Sequence, residues 1–84
     1  MAKVELYSTP SCGACIVAKK LLQNRGVPFT EINVSDRLLR DAMAERSRGN
    51  RSVPQIFIDE KHVGGCDELI ELDFAGKLEA LRNP

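Results

Sequence analysis

Between Val4 and Val34 the hydrophobic period changes twice, and this stretch constrains the fold more than any other part of the chain. Val4 and Leu6 suit a short buried strand, which breaks at Ser8-Thr9-Pro10-Ser11, a cluster of turn and capping residues. From Cys12 to about Asn24 the apolar positions Cys15, Ile16, Ala18, Leu21 and Leu22 follow helical spacing, with Lys19 and Lys20 toward the polar side and Gly26 and Pro28 as the stop. Pro28 to Val34 then alternates apolar and polar residues as a half-buried strand does. Strand, helix and strand in so short a span form a βαβ unit, whose strands are parallel and whose crossover is right-handed.

The remaining residues supply one more helix, a hairpin and a helical tail. Ser35 and Asp36 can cap a helix from about Asp36 to Arg46, with Leu38, Leu39, Ala42 and Met43 inward, and Ser47 to Ser52 is a polar loop. Gln55 to Asp59 reads as a strand, and a turn around Asp59-Glu60-Lys61 returns His62-Val63 beside it before Gly64-Gly65. A last helical region runs from Asp67 to about Arg82, interrupted at Gly76, with Leu69, Ile70, Leu72, Phe74, Leu78 and Leu81 as its apolar residues. At 84 residues this is one domain, residues 1–84, with no room for a second.

Charge excludes some functions. Twelve Lys and Arg balance twelve Asp and Glu, so the chain has no overall attraction for nucleic acid or anionic lipid. No apolar run approaches the roughly 20 residues of a membrane span, and Met1 to Tyr7 looks like a strand rather than a signal peptide. These features predict a cytoplasmic protein with neither nucleic acid nor membrane as partner.

Three cysteines cannot close into a purely internal disulfide framework, and a reducing cytosol makes them chemical rather than structural. Cys12-Gly13-Ala14-Cys15 lies between a strand and the helix it opens, the context in which C-x-x-C reads as a redox motif. Two cysteines three apart on one helical turn can bring their sulfurs within disulfide distance with little backbone movement. Cys12 belongs at the helix start, where unpaired N–H groups and the positive end of the helix dipole favour a thiolate, so it is the expected nucleophile, with Cys15 one turn deeper. A thiol acidified from about 8.5 to about 6 gains only a few-fold in attack, because nucleophilicity falls with basicity; its larger gain is as a leaving group. A structural zinc site wants four ligands and would have to enlist Cys66 and His62 besides the pair, which is every cysteine and the single histidine of the chain, so no metal is expected. His62, on the hairpin, reads as a surface histidine.

Three short motifs, in order, resemble the glutaredoxin family: Tyr7 with Cys12-Gly13-Ala14-Cys15, then Ser52-Val53-Pro54-Gln55-Ile56-Phe57-Ile58, then Gly64-Gly65-Cys66-Asp67-Glu68. The resemblance covers nearly the whole chain. It implies an α/β, thioredoxin-like fold, a four-stranded mixed sheet flanked by helices, with the site at the carboxyl end of the first strand. It also implies a glutathione-dependent oxidoreductase that reduces protein disulfides and glutathione mixed disulfides, with Cys12 attacking and Cys15 resolving. Pro54 would be a cis-proline facing the cysteines, and Val53 would pair its backbone with the cysteinyl part of glutathione. Gly65, Cys66 and Asp67 would take the γ-glutamyl end, and Arg40 matches a position used for the glycyl carboxylate. The expected partners are glutathione, as reducing co-substrate, and disulfide-bonded or glutathionylated proteins, met by a monomer.

The chain departs from the family's pattern in places. Gly13-Ala14 replaces a common Pro-Tyr, Ser52 a usual Thr, and Thr9 a frequent Lys, which removes one positive charge near Cys12. Two other readings stand beside the first: a redoxin fed by thioredoxin reductase, and a dimer holding a [2Fe–2S] cluster through Cys12 and glutathione.

Overall fold

The computed structural model describes residues 3–82; Met1 and Ala2, which the sequence reading joins to the first strand, lie outside them. Its strands are β1 (Val4–Ser8), β2 (Thr30–Asn33), β3 (Gln55–Ile58) and β4 (Lys61–Gly64); its helices are α1 (Gly13–Asn24), α2 (Arg37–Arg46) and α3 (Cys66–Phe74). One 3-10 turn, Glu79–Leu81, follows. The sheet order is β2-β1-β3-β4, with β1 parallel to β2 and antiparallel to β3, and β3 antiparallel to β4. This is the thioredoxin-like, four-stranded mixed sheet that the motifs imply.

Strand alternation divides the core in two. Val4, Leu6 and Ile56 turn to one face, where they meet Ala18 and Leu22 of α1 and Leu69 of α3, with Val27 and Leu78 closing the cluster. Tyr7 and Phe57 turn to the other and meet Val34 and Met43 of α2. Arg46 finishes this thinner face: its guanidinium lies 3.9 Å from the Phe57 ring centroid and donates to Glu5 (2.8 Å), Glu60 (3.0 Å) and the Tyr7 hydroxyl (3.0 Å). That pairing holds the Glu5 carboxyl below its ordinary range.

Two expectations are corrected here. Leu38, Leu39 and Ala42 do not face inward: Leu38 is 76% exposed and Leu39 and Ala42 are also exposed, while Met43 and Ala44 are buried. The sheet residues of that face, Tyr7 and Phe57, are already covered by Met43 and by Arg46, whose long side chain lies over Phe57. Phe74 likewise projects outward at 87% exposure from the last residue of α3. The hairpin turn is the two residues Asp59-Glu60, both at positive φ (49° and 72°), the geometry of a tight turn whose twist matches the strands.

Helices α1 and α3 lie side by side, and a fork from Arg25 to Asp73 (2.6 and 3.0 Å) ties them near their C-terminal ends. The Arg25 guanidinium, by donating to it, lowers the Asp73 carboxyl. With one end pinned and the shared core between them, the N-terminal ends of the two helices are held next to one groove.

Candidate active site

Cys12 is the N-cap of α1: its backbone is extended (φ −92°, ψ 111°) and its Sγ accepts the Cys15 N–H at 3.0 Å. The sulfur thus occupies the place that a Ser or Asp oxygen usually takes at a helix start. On its other side it lies 3.7 Å from the Val53 carbonyl oxygen. Cys12 is partly exposed and Cys15 is fully buried; no disulfide joins them. Burial pushes the Cys15 thiol up to about 11, and the hydrogen bond with Cys12 adds to it. One sulfur is therefore reachable while its neighbour stays protonated behind it.

The strand that feeds this loop is braced. Ser8, buried at the end of β1, donates its hydroxyl to Glu31 at 2.6 Å, and Lys19 of α1 donates to the same carboxylate oxygen at 2.9 Å. The Ser8 and Lys19 hydrogen bonds hold the Glu31 carboxyl below its ordinary range. Strand, helix and second strand are thus linked at the level where Thr9 to Ser11 carries the chain to Cys12.

Beside Val53 runs a groove lined by Ala14, Ser52, Val53, Pro54, Gly65, Cys66 and Asp67, together with Asn50, Gln55 and Glu68. The Val53–Pro54 peptide bond is cis. Gly65 fits against Pro54, since a Cβ there would lie 3.3 Å from the Pro54 carbonyl oxygen. Helix α3 starts at Cys66, so the N–H groups of its first turn have no intrahelical partner and border the groove. Burial pushes the Cys66 thiol up, and the adjacent Asp67 carboxylate adds to it.

Of the residues named from sequence, the structure brings Val53, Pro54, Gly65, Cys66 and Asp67 together around the groove, and Cys12 to its Val53 end. Arg40 is not among the lining residues; its Nε donates to the Arg51 carbonyl at 3.0 Å and so supports the loop before Val53. Asn50, Gln55 and Glu68 were not anticipated. Asn50 Oδ1 accepts the Ser52 N–H (3.1 Å) and hydroxyl (2.7 Å), and buried Gln55 donates to the Ser52 carbonyl at 3.0 Å. These contacts are local, two and three residues apart, but apolar periodicity does not record them. Glu68 had a signal, an acidic residue three positions after a helix cap. His62 approaches Gln55 Oε1 at 2.6 Å and stacks on Phe57, away from the cysteines.

No helix among the described residues is long and apolar enough to cross a membrane. The family model for glutaredoxin matches residues 4–63. A glutaredoxin of Pseudomonas aeruginosa is 49% identical over 81 residues, covering 96% of each chain. The solution structure of a glutaredoxin from Brucella melitensis superposes with a TM-score of 0.81 at 46% identity, over 96% of this chain and 88% of that one. A buckwheat glutaredoxin–glutathione complex has the same score, 0.81, at 31% identity over 95% of this chain and 76% of that one.

Proposed function

The chain belongs to the glutaredoxin family of thiol–disulfide oxidoreductases, and on that premise we propose that Cys12 and Cys15 run the exchange with glutathione seated along the groove. The observation that carries this reading is the placement of Cys12 Sγ, capping α1 by accepting the Cys15 N–H at 3.0 Å and lying 3.7 Å from the carbonyl oxygen of Val53, which lines the groove.

The Cys12 thiolate attacks the glutathione sulfur of a mixed disulfide, and the electron pair of the broken bond leaves on the client's sulfur, which takes up a proton. A second glutathione thiolate attacks the glutathione now bound to Cys12; oxidised glutathione departs and Cys12 recovers its electron pair. With a protein disulfide, Cys12 forms the mixed disulfide, Cys15 gives up its proton and attacks Cys12 Sγ, and the client leaves as a dithiol. Two glutathiones then reduce the Cys12–Cys15 disulfide.

The order of steps follows from the surroundings of Cys15. Burial, the largest cause, keeps its thiol protonated, and the hydrogen bond and negative charge of Cys12 reinforce this. Once Cys12 is part of a disulfide its charge no longer opposes a Cys15 thiolate, which removes a minor part of that hold while burial, the larger part, remains.

In this reading Val53 pairs its backbone with the cysteinyl residue of glutathione beside Pro54, and Gly65, Cys66 and Asp67 receive the γ-glutamyl carboxylate at the start of α3. The buckwheat glutaredoxin–glutathione complex supports glutathione as the ligand. Arg40 acts by holding the loop that carries Val53. The clients are disulfide-bonded and glutathionylated proteins, and the chain acts as a monomer in the cytoplasm, where glutathione is the abundant thiol. The test is turnover of a peptide–glutathione mixed disulfide with glutathione and its reductase. Glutathione-dependent turnover is expected; activity sustained only by thioredoxin reductase would overturn the proposal.

A further inference from the structure

The corner between β4 and α3 is held by a side chain that the reaction itself does not use. Glu68 turns back along its own helix, and its Oε1 accepts the Gly65 N–H at 2.7 Å. Gly64 stands at φ +125°, and a Cβ there would lie 2.6 Å from Glu68 Oε1 and 2.8 Å from its Cγ, so the carboxylate is seated directly on the corner. Gly65, held by that bond, leaves so little room that a Cβ added to it would lie 3.3 Å from the Pro54 carbonyl oxygen. Glu68 also lines the groove beside Cys66 and Asp67.

We propose that Glu68 is a positioning residue for glutathione: its hydrogen bond to Gly65 sets the distance between the start of α3 and the Val53–Pro54 segment, and hence the width of the groove that must grip both ends of the ligand. This rests on the reading of the groove as a glutathione site. The bond satisfies one N–H that would otherwise compete for an anion, and it directs binding to the N–H groups of Cys66 and Asp67. Its negative charge opposes an anionic ligand, so the tether and the charge act in opposite directions and can be separated by substitution.

Glu68→Ala removes both; Glu68→Gln keeps an oxygen acceptor at the same reach and removes the charge. With a peptide–glutathione mixed disulfide as substrate, Glu68→Ala is expected to raise KM about three- to tenfold with kcat nearly unchanged, the size of effect expected for one lost positioning hydrogen bond. Glu68→Gln should return KM to the wild-type value or below. The rate of Cys12 alkylation by iodoacetamide, which needs no glutathione, should be the same in all three proteins. A KM for Glu68→Ala within twofold of wild type, an equal rise in both variants, or slower alkylation in Glu68→Ala would each overturn the inference. If the wild-type protein fails to turn over the mixed disulfide at all, the glutathione reading itself falls, and that result is seen before any variant is made.

Discussion

Two helices begin at the same groove, and they use their first turns differently. At the start of α1 the cap is the reactive atom: Cys12 Sγ accepts the Cys15 N–H, so the backbone and the chemistry share one sulfur. At the start of α3 no side chain caps the helix from Gly65; Glu68 reaches back to the Gly65 N–H and leaves the next N–H groups facing the groove. Both ends have unpaired N–H groups and a positive dipole end. One helix start is capped by the reactive sulfur itself; the other ties its cap N–H to the Glu68 carboxylate and leaves the N–H groups of Cys66 and Asp67 without a side-chain partner. The shared core and the Arg25–Asp73 fork keep the two starts in register.

The comparison breaks most visibly at Cys12. Cys12→Ser should lose at least about a thousandfold of both mixed-disulfide and protein-disulfide reduction, because no other partly exposed cysteine is placed as the cap of a helix and the hydroxyl cannot carry the exchange. Stability should hardly change, since serine is itself a good N-cap. Residual activity above a few per cent, measured with glutathione and its reductase, would mean that the start of α1 is not the reaction centre.

Cys15→Ser divides the two activities. Reduction of a protein disulfide should fall about a hundredfold, whereas removal of glutathione from a mixed disulfide, which needs only Cys12, should stay within about threefold of wild type. Equal loss of both would show that Cys15 contributes to the first attack and not to the resolving step.

The buried position of Cys15 also has a pH signature. Its ordinary value of 9.0 is raised to about 11, chiefly by burial, so the unfolded thiol loses its proton before the folded one does as the pH rises. The folded state is therefore favoured in full below about pH 9, and this contribution disappears between about pH 9 and about pH 11, amounting to about 2–3 kcal/mol. Denaturation midpoints followed over that range should fall less steeply for Cys15→Ala than for wild type. Parallel curves would show that burial does not hold the proton on Cys15.

Much of this was legible in the residues because it is local. The period change at Ser8 to Ser11, the C-x-x-C spacing and the Gly-stop after α1 each concern neighbours a turn or less apart, and the βαβ unit, the parallel pairing and the position of Cys12 at a helix start follow from them. What was not legible depends on partners far away in sequence. Leu38 and Leu39 have helical spacing for an inward face, yet Met43 and the Arg46 side chain already cover Tyr7 and Phe57. Asn50 and Gln55 are the exception: they hold Ser52 from only two and three residues away, through polar loop contacts that hydrophobic periodicity does not record.

Arg40 marks the limit of the comparison, because it belongs to neither helix start. Its Nε bond to the Arg51 carbonyl is exposed, and a hydrogen bond of that kind is worth about 0.5–1.5 kcal/mol, so Arg40→Ala should raise KM for a glutathione mixed disulfide about two- to fivefold by loosening the loop before Val53. The same substitution should leave Cys12 alkylation unchanged, since the hydrogen-bond partner of the cysteine there is the Val53 carbonyl at 3.7 Å and not Arg51. If KM rises more than tenfold and the rise shrinks steeply with added salt, the guanidinium binds the ligand's carboxylate directly, and recognition extends from the start of α3 across to α2. A change that stays small and salt-independent keeps recognition where Gly65, Cys66 and Asp67 place it.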